Sequence, residues 1–166
     1  MGSGRGYTLI ELIVVMALIG IMLGIAAPRI RDTFLADPLK RTARKMVGMI
    51  NEARYDSIRT HQGHALHVDV ESNRFWIDAA TMNHEERTLA HKHGLVLPED
   101  VRILDVWVRG EGKKMAGETW VRFNEKGYVR PSAIHLSCKD GRRLTLVLSP
   151  FLGKIKIAEK YVDFVQ

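Results

Sequence analysis

The sequence predicts an α+β fold: a long N-terminal helix, transmembrane in its first half and amphipathic in its second, packed on an antiparallel β-sheet domain. Three observations carry this expectation. Residues 7–27 form an apolar run of 21 residues whose only charge is Glu11. Beyond Pro28 apolar residues recur three to five apart, the spacing of one helix face. From Ala65 onward the chain breaks into short apolar stretches, several of them alternating, separated by turn residues, which is the pattern of strands.

The apolar run comes first. At about 1.5 Å per residue it makes a helix of roughly 31 Å, close to the ~30 Å of a bilayer's hydrocarbon. A carboxylate in such a span costs roughly 2.5 kcal/mol or more if it lies deep in lipid, so Glu11 needs a partner or a function. A cleaved secretory signal peptide competes with this reading, since Gly24-Ile25-Ala26 is a passable cleavage site, but such segments rarely carry an early acid or run so long. A simple anchor leaves Glu11 unexplained, and a buried core helix of this length would lack polar relief. The basic residues mostly follow the run, which by the positive-inside rule alone would put the C-terminal side in the cytoplasm.

The order Gly6, Tyr7-Thr8-Leu9-Ile10-Glu11 and then an unbroken apolar stretch resembles the N-terminus of type IV pilins and type II secretion pseudopilins. That resemblance outweighs the charge bias and puts the globular domain in the periplasm, with the helix in the inner membrane. It implies a leader over residues 1–6, cut by a prepilin peptidase between Gly6 and Tyr7, with methylation of the new Tyr7 amine. It also makes Glu11 the assembly residue, paired with the α-amino group of a neighbouring subunit. Tyr7 stands where Phe is commoner, a harmless change because methylation acts on the main-chain nitrogen. Gly20 and Gly24 form G-x-x-x-G, which lets helices approach closely in lipid or is incidental glycine. With Pro28, which removes a backbone donor, they bound a candidate joint in the stem. The filament-core helix is assigned to residues 7–28.

Residues 29–62 continue the stem. Asp37-Pro38 reads as an N-cap and first-turn proline. Leu39, Ala43, Met46, Ile50, Ala53 and Ile58 form the apolar stripe, whose C-terminal half is expected to lie across a sheet. Lys40, Arg41, Arg44 and Lys45 take other faces, solvated or near anionic lipid headgroups. Residues 29–61 carry eight basic against four acidic side chains, and residues 62–166 sixteen against fourteen, so most of the net charge of +6 sits just past the apolar run.

Residues 63–166 are read as the β-rich domain. Strands are expected at Ala65–Val70 and Arg74–Ala79, joined by Glu71-Ser72-Asn73, then at Val101–Arg109, Thr119–Phe123, Tyr128–Arg130, Ala133–Cys138, Arg143–Ser149 and Lys154–Ile157. Asp140-Gly141 marks a tight hairpin turn. Residues 81–94 are polar and aperiodic, a variable loop with room for a helical turn, and Gly110–Gly117 is another loop. The tail, 158–166, gives no assignment. Phe123-Asn124-Glu125-Lys126-Gly127, AIHLSC, RRLTLVLSP and INEARYDSIRTHQ resemble the GspH/FimT-type pseudopilins. The lone Cys138 allows no internal disulfide, whereas many major pilins close a C-terminal loop with two, so it leans toward a pseudopilin or minor pilin.

Catalytic motifs are missing from the sequence. His84-Glu85 opens like H-E-x-x-H, but Thr88 takes the closing position. His61, His64 and His67 are three apart across a helix-to-strand boundary, where they diverge. No metal site, cofactor or catalytic set is expected. The sequence therefore points to a minor pseudopilin of a type II secretion system, with other pseudopilins, the peptidase and inner-membrane lipid as partners. A DNA-binding minor pilin needs basic clustering that residues 62–166 do not show, so nucleic acid is not an expected partner. A membrane-tethered metal-dependent enzyme is the reading from another class.

Overall fold

The computed structural model describes residues 8–35, 37–150 and 155–164, and of residues 23–35 the backbone alone. Two compact units divide at Asp37 and Pro38. The first contains α1, Leu9–Leu35, whose backbone is helical through Gly20, Gly24 and Pro28. Gly6 and Tyr7 lie outside the described residues.

The second unit opens with α2, Pro38–Thr60, starting where the proline was expected. Its buried face is Leu39, Thr42, Ala43, Met46, Ile50, Ala53 and Ser57, a run of three- and four-residue steps. Ile58, placed on the stripe from sequence, is 42% exposed, because five residues after Ala53 the helix has turned past the core and Ser57 takes the position. Ile58 instead packs on Gly127, whose φ is +72° and where an added Cβ would come within 2.7 Å of the Ile58 side chain. Burying Leu39, Met46 and Ile50 contributes about 2 kcal/mol each.

Two antiparallel sheets follow. The first has the order β3-β2-β1-β6, built from Leu95–Val96 (β3), Arg74–Ala79 (β2), His64–Asp69 (β1) and Glu118–Phe123 (β6). The second has the order β5-β4-β7-β8-β9, from Gly112–Lys114 (β5), Val101–Val108 (β4), Ser132–Cys138 (β7), Arg143–Leu148 (β8) and Ile155–Ala158 (β9). Helix α2 touches strands of both sheets along its length, so its N-terminal half is also buried and not only the C-terminal half. One core unites Met46 and Ile50 with Leu66, Val68, Phe75, Val121, Val106, Ile134, Leu136 and Leu146.

Several expectations need correction. Residues 81–94 hold a helix, α3, His84–Lys92, nucleated by a capping box: the Asn83 side chain accepts from the Glu86 N–H while Glu86 accepts from the Asn83 N–H. Gly94 lets its end approach β2, since a Cβ there would stand 2.6 Å from the Phe75 carbonyl. The loop 110–117 contains β5. Residues 128–130 form no strand, only a single bridge from Val129 to Phe123.

Two side chains tie the pieces together. Asp69 accepts from the N–H groups of Glu71 and Ser72 and from the Ser72 hydroxyl, which closes the β1–β2 turn. Asn73, at φ +56°, donates to the Val101 carbonyl at 2.6 Å and accepts from the Ile103 N–H at 2.9 Å, so that turn is clamped to β4 of the other sheet.

Candidate functional site

Thr8 precedes α1, and its hydroxyl accepts from the Glu11 N–H at 3.3 Å, satisfying one of the free donors of the first turn. This holds Glu11 in the first turn of the helix, where a carboxylate is favoured by the dipole. From Leu9 to Met22 every described side chain is exposed, Leu, Ile, Val and Met on all sides of the helix. Gly20 has open space around it, as close approach by another helix requires. Among the described residues no helix is long and apolar enough to cross a membrane; the described side chains of α1 stop at Met22, inside the apolar run.

The globular unit carries two polar clusters that sequence reasoning missed. The first depends on an irregularity. The register of β4 on β7 shifts between Ile103 and Asp105, so Leu104 is an extra residue and Asp105 comes opposite His135. Ile103, Val106 and Val108 then face the core while Asp105 and Trp107 share the outer face with His135. His135 Nδ1 lies 2.7 Å from Asp105 Oδ1, and both side chains are buried. Residues 159–164 run over this face as a strap. The Tyr161 hydroxyl donates to Asp105 Oδ2 at 3.0 Å, and His135 Nε2 donates to the Val162 carbonyl at 2.8 Å. Thr145 Oγ1 donates to the Lys160 carbonyl and accepts from the Val162 N–H, and Phe164 stacks on Trp107. Tyr161 and Asp163 together push the Lys113 ammonium upward, and Lys113 in turn holds the Asp163 carboxyl below the usual range. Residues 159–164 of the unassigned tail are therefore an outer layer of the five-stranded sheet.

The second cluster is on the outer face of the four-stranded sheet. His67 on β1 pairs in register with Trp76 on β2 and Trp120 on β6. Its Nε2 meets Asp78 at 3.0 Å, its Nδ1 meets Glu118 at 2.5 Å, and it stacks on Trp76 at 5.1 Å. His61, His64 and His67 do not converge, and among the described residues no three His, Cys, Asp or Glu side chains are grouped so that they could hold a metal ion.

Comparison with known proteins bears on the first of these features and on the fold. The prokaryotic N-terminal methylation motif matches residues 1–27. Type II secretion system protein H of Pseudomonas aeruginosa is 24% identical over an alignment that covers 96% of this chain and 86% of that protein. The minor pseudopilin EpsH of the Vibrio cholerae type II secretion system has the same fold, with a TM-score of 0.56 at 15% identity over 76% of this chain and all of that one. The chain is similar to pilin-like proteins of the GspH type. A further relative is the pilin-like protein PilA1 of Thermus thermophilus, 33% identical over an alignment of 82 positions that covers 42% of this chain and about half the length of that relative. The signal that carries this assignment, Gly6 through Glu11, was legible in the sequence. The Asp105–His135 cluster of this pilin-like domain was not.

Proposed function

We propose that the chain is a minor pseudopilin, a structural subunit of the type II secretion pseudopilus rather than an enzyme. The observation that carries the reading is a helix that starts at Leu9, just after Thr8, bears Glu11 in its first turn and is apolar on every side from Leu12 to Met22, within a prokaryotic methylation motif. Such a helix has no polar face to give to water, so lipid or neighbouring helices must cover it. In this reading residues 1–6 are the leader, a prepilin peptidase cuts between Gly6 and Tyr7, and Tyr7 is N-methylated. Residues 7–28 anchor the subunit in the inner membrane before assembly, residues 29–62 extend the stem, and the domain of residues 63–166 stands in the periplasm.

Glu11 is the assembly contact. In the lipid-like interior of a filament a carboxylate needs a cation, and the amine of a neighbouring subunit's Tyr7 supplies one. The pair also gauges register, since an incoming helix is stable only when its charge lies level with its partner. Gly20, Gly24 and Pro28 form the joint where the stem adapts on entering the filament. Relatives named for type II secretion, across most of the chain's length, support the choice of system.

Co-expression with a prepilin peptidase tests this. The mature chain should lack six residues and begin with N-methyl-Tyr7 by mass spectrometry, and Gly6→Phe should block the cut while membrane insertion survives. An intact leader, or cleavage near Ala26 and Ala27, overturns the reading.

A further inference from the structure

Helix α3 covers only one side of the four-stranded sheet's outer face. It packs over β2, where His91 meets the Trp76 ring edge-on at 4.6 Å, across β1 from the edge strand β6. Between α3 and β6 lies a groove of about 470 Å³, floored by His64, His67 and Asp78 and walled by Arg87 on one side and Trp120 with Arg122 on the other.

The charges in this groove are unevenly matched. Its one lining carboxylate, Asp78, and the adjacent Glu118 are both engaged by the single ring of His67. The cations are not so engaged. Arg122 lies over one side of the Trp120 ring system at 5.0 Å and Lys114 approaches the same ring at 5.9 Å. Arg87 donates through Nε to the Met82 carbonyl, which leaves its charge uncompensated. Among the described residues none of these three cations has a carboxylate partner, although elsewhere on the domain Arg59, Lys113, Arg130, Lys139 and Arg142 all do. A guanidinium held flat on an aromatic ring keeps its N–H edge free for a planar carboxylate. Lysine and arginine on an edge strand also deter uncontrolled strand pairing, but that role makes no use of Trp120 or of Arg87 on the opposite wall.

We propose that this groove receives an acidic, extended segment of a partner protein, with its carboxylates on Arg87 and Arg122 and its backbone against Trp120. The inference goes beyond the assembly reading and does not depend on it, because it concerns the globular face and neither the leader nor Glu11. Partners that meet this face would be chosen by charge, with an on-rate that falls as salt rises.

The test uses the full chain in detergent micelles, titrated with a decapeptide rich in Asp and Glu, with the same peptide in its Asn and Gln form, and with an oligothymidylate of equal charge. The Trp120 indole N–H signal, assigned through Trp120→Phe, reports occupancy. The acidic peptide should shift it, the amide peptide should not, and Arg87→Gln with Arg122→Gln should weaken binding by at least about tenfold. Both arginines are exposed, so the fold should survive, and Lys114→Gln gives an independent reduction. Arg122→Lys should retain part of the affinity. The proposal is overturned by a Trp120 signal that stays fixed up to millimolar acidic peptide, by equal binding of the amide peptide, or by affinity unchanged in the arginine variants. Tighter binding of the oligothymidylate than of the peptide also overturns it, in favour of a nucleic-acid groove.

Discussion

His135 Nδ1 and Asp105 Oδ1 lie 2.7 Å apart between β7 and β4, in contact only because Leu104 is bulged out of the register. Around them Tyr161 takes the second carboxylate oxygen and Val162 the second ring nitrogen, so every polar atom of the pair is engaged. Removing one member of a buried pair strands the other. His135→Leu should therefore destabilise the domain by about 3–5 kcal/mol in urea unfolding. Replacing both, His135→Leu with Asp105→Leu, should cost less than the two single changes summed, since no charge is left unpaired. Single variants within about 1 kcal/mol of wild type would show that the cluster contributes little.

A chain starting at Pro38 should fold without the apolar helix. Every described core residue lies beyond Pro38, in α2, the strands or the segments between them, and the compact unit begins at that residue. Circular dichroism should show mixed helix and sheet, sedimentation a monomer, and urea unfolding a single transition. A disordered or wholly helical spectrum would contradict the architecture.

Glu11 should be dispensable for membrane insertion and leader removal, and required for association. Glu11→Gln keeps the shape without the charge, and Glu11→Leu makes the run wholly apolar. At equal membrane abundance both should lose crosslinks to, and co-purification with, other pseudopilins, by tenfold or more if the pair contributes about 1.4 kcal/mol or above. Undiminished association would remove Glu11 from the assembly contact.

Asp69 gives the domain a pH dependence. Burial pushes its carboxyl upward, but the Ser72 hydroxyl and the N–H groups of Ser72 and Glu71 outweigh it, and the group sits below its ordinary value of 3.8. A carboxyl whose value is depressed by folding stabilises above its unfolded value and loses that contribution as pH falls through the folded one. Stability of the Pro38 domain should therefore fall between about pH 5 and pH 2, and Asp69→Asn should flatten that part of the curve. Identical slopes in both proteins would show that the turn does not titrate with folding.

What the sequence revealed, and what it hid, follows from the range of the interactions. Gly6 through Glu11 is a local string, the stripe from Leu39 to Ala53 is a local period, and most strands carry their own alternation. Helix α3 escaped notice because its evidence is a capping box, Asn83 with Glu86, and not an apolar face: none of its residues is buried. In β4 the bulge at Leu104 breaks the alternation that would have marked Asp105 as outward-facing and paired. The strap was unreadable for a stronger reason, since Thr145, Trp107 and His135, the residues that fix it, are all on distant strands.

The strap also imposes a timetable. Tyr161 reaches back 56 positions to Asp105, and Val162 reaches back 27 to His135. At a synthesis rate of roughly 5–20 residues per second, about 3–11 seconds separate the emergence of Asp105 from that of Tyr161. Once Ser132–Cys138 have followed, β4 and β7 can pair, but until residue 161 arrives their outer face presents Trp107, Asp105 and His135 with no cover. An unfinished face of this kind invites the wrong neighbour, so nascent chains stalled before residue 161 should recruit holding chaperones that completed chains release.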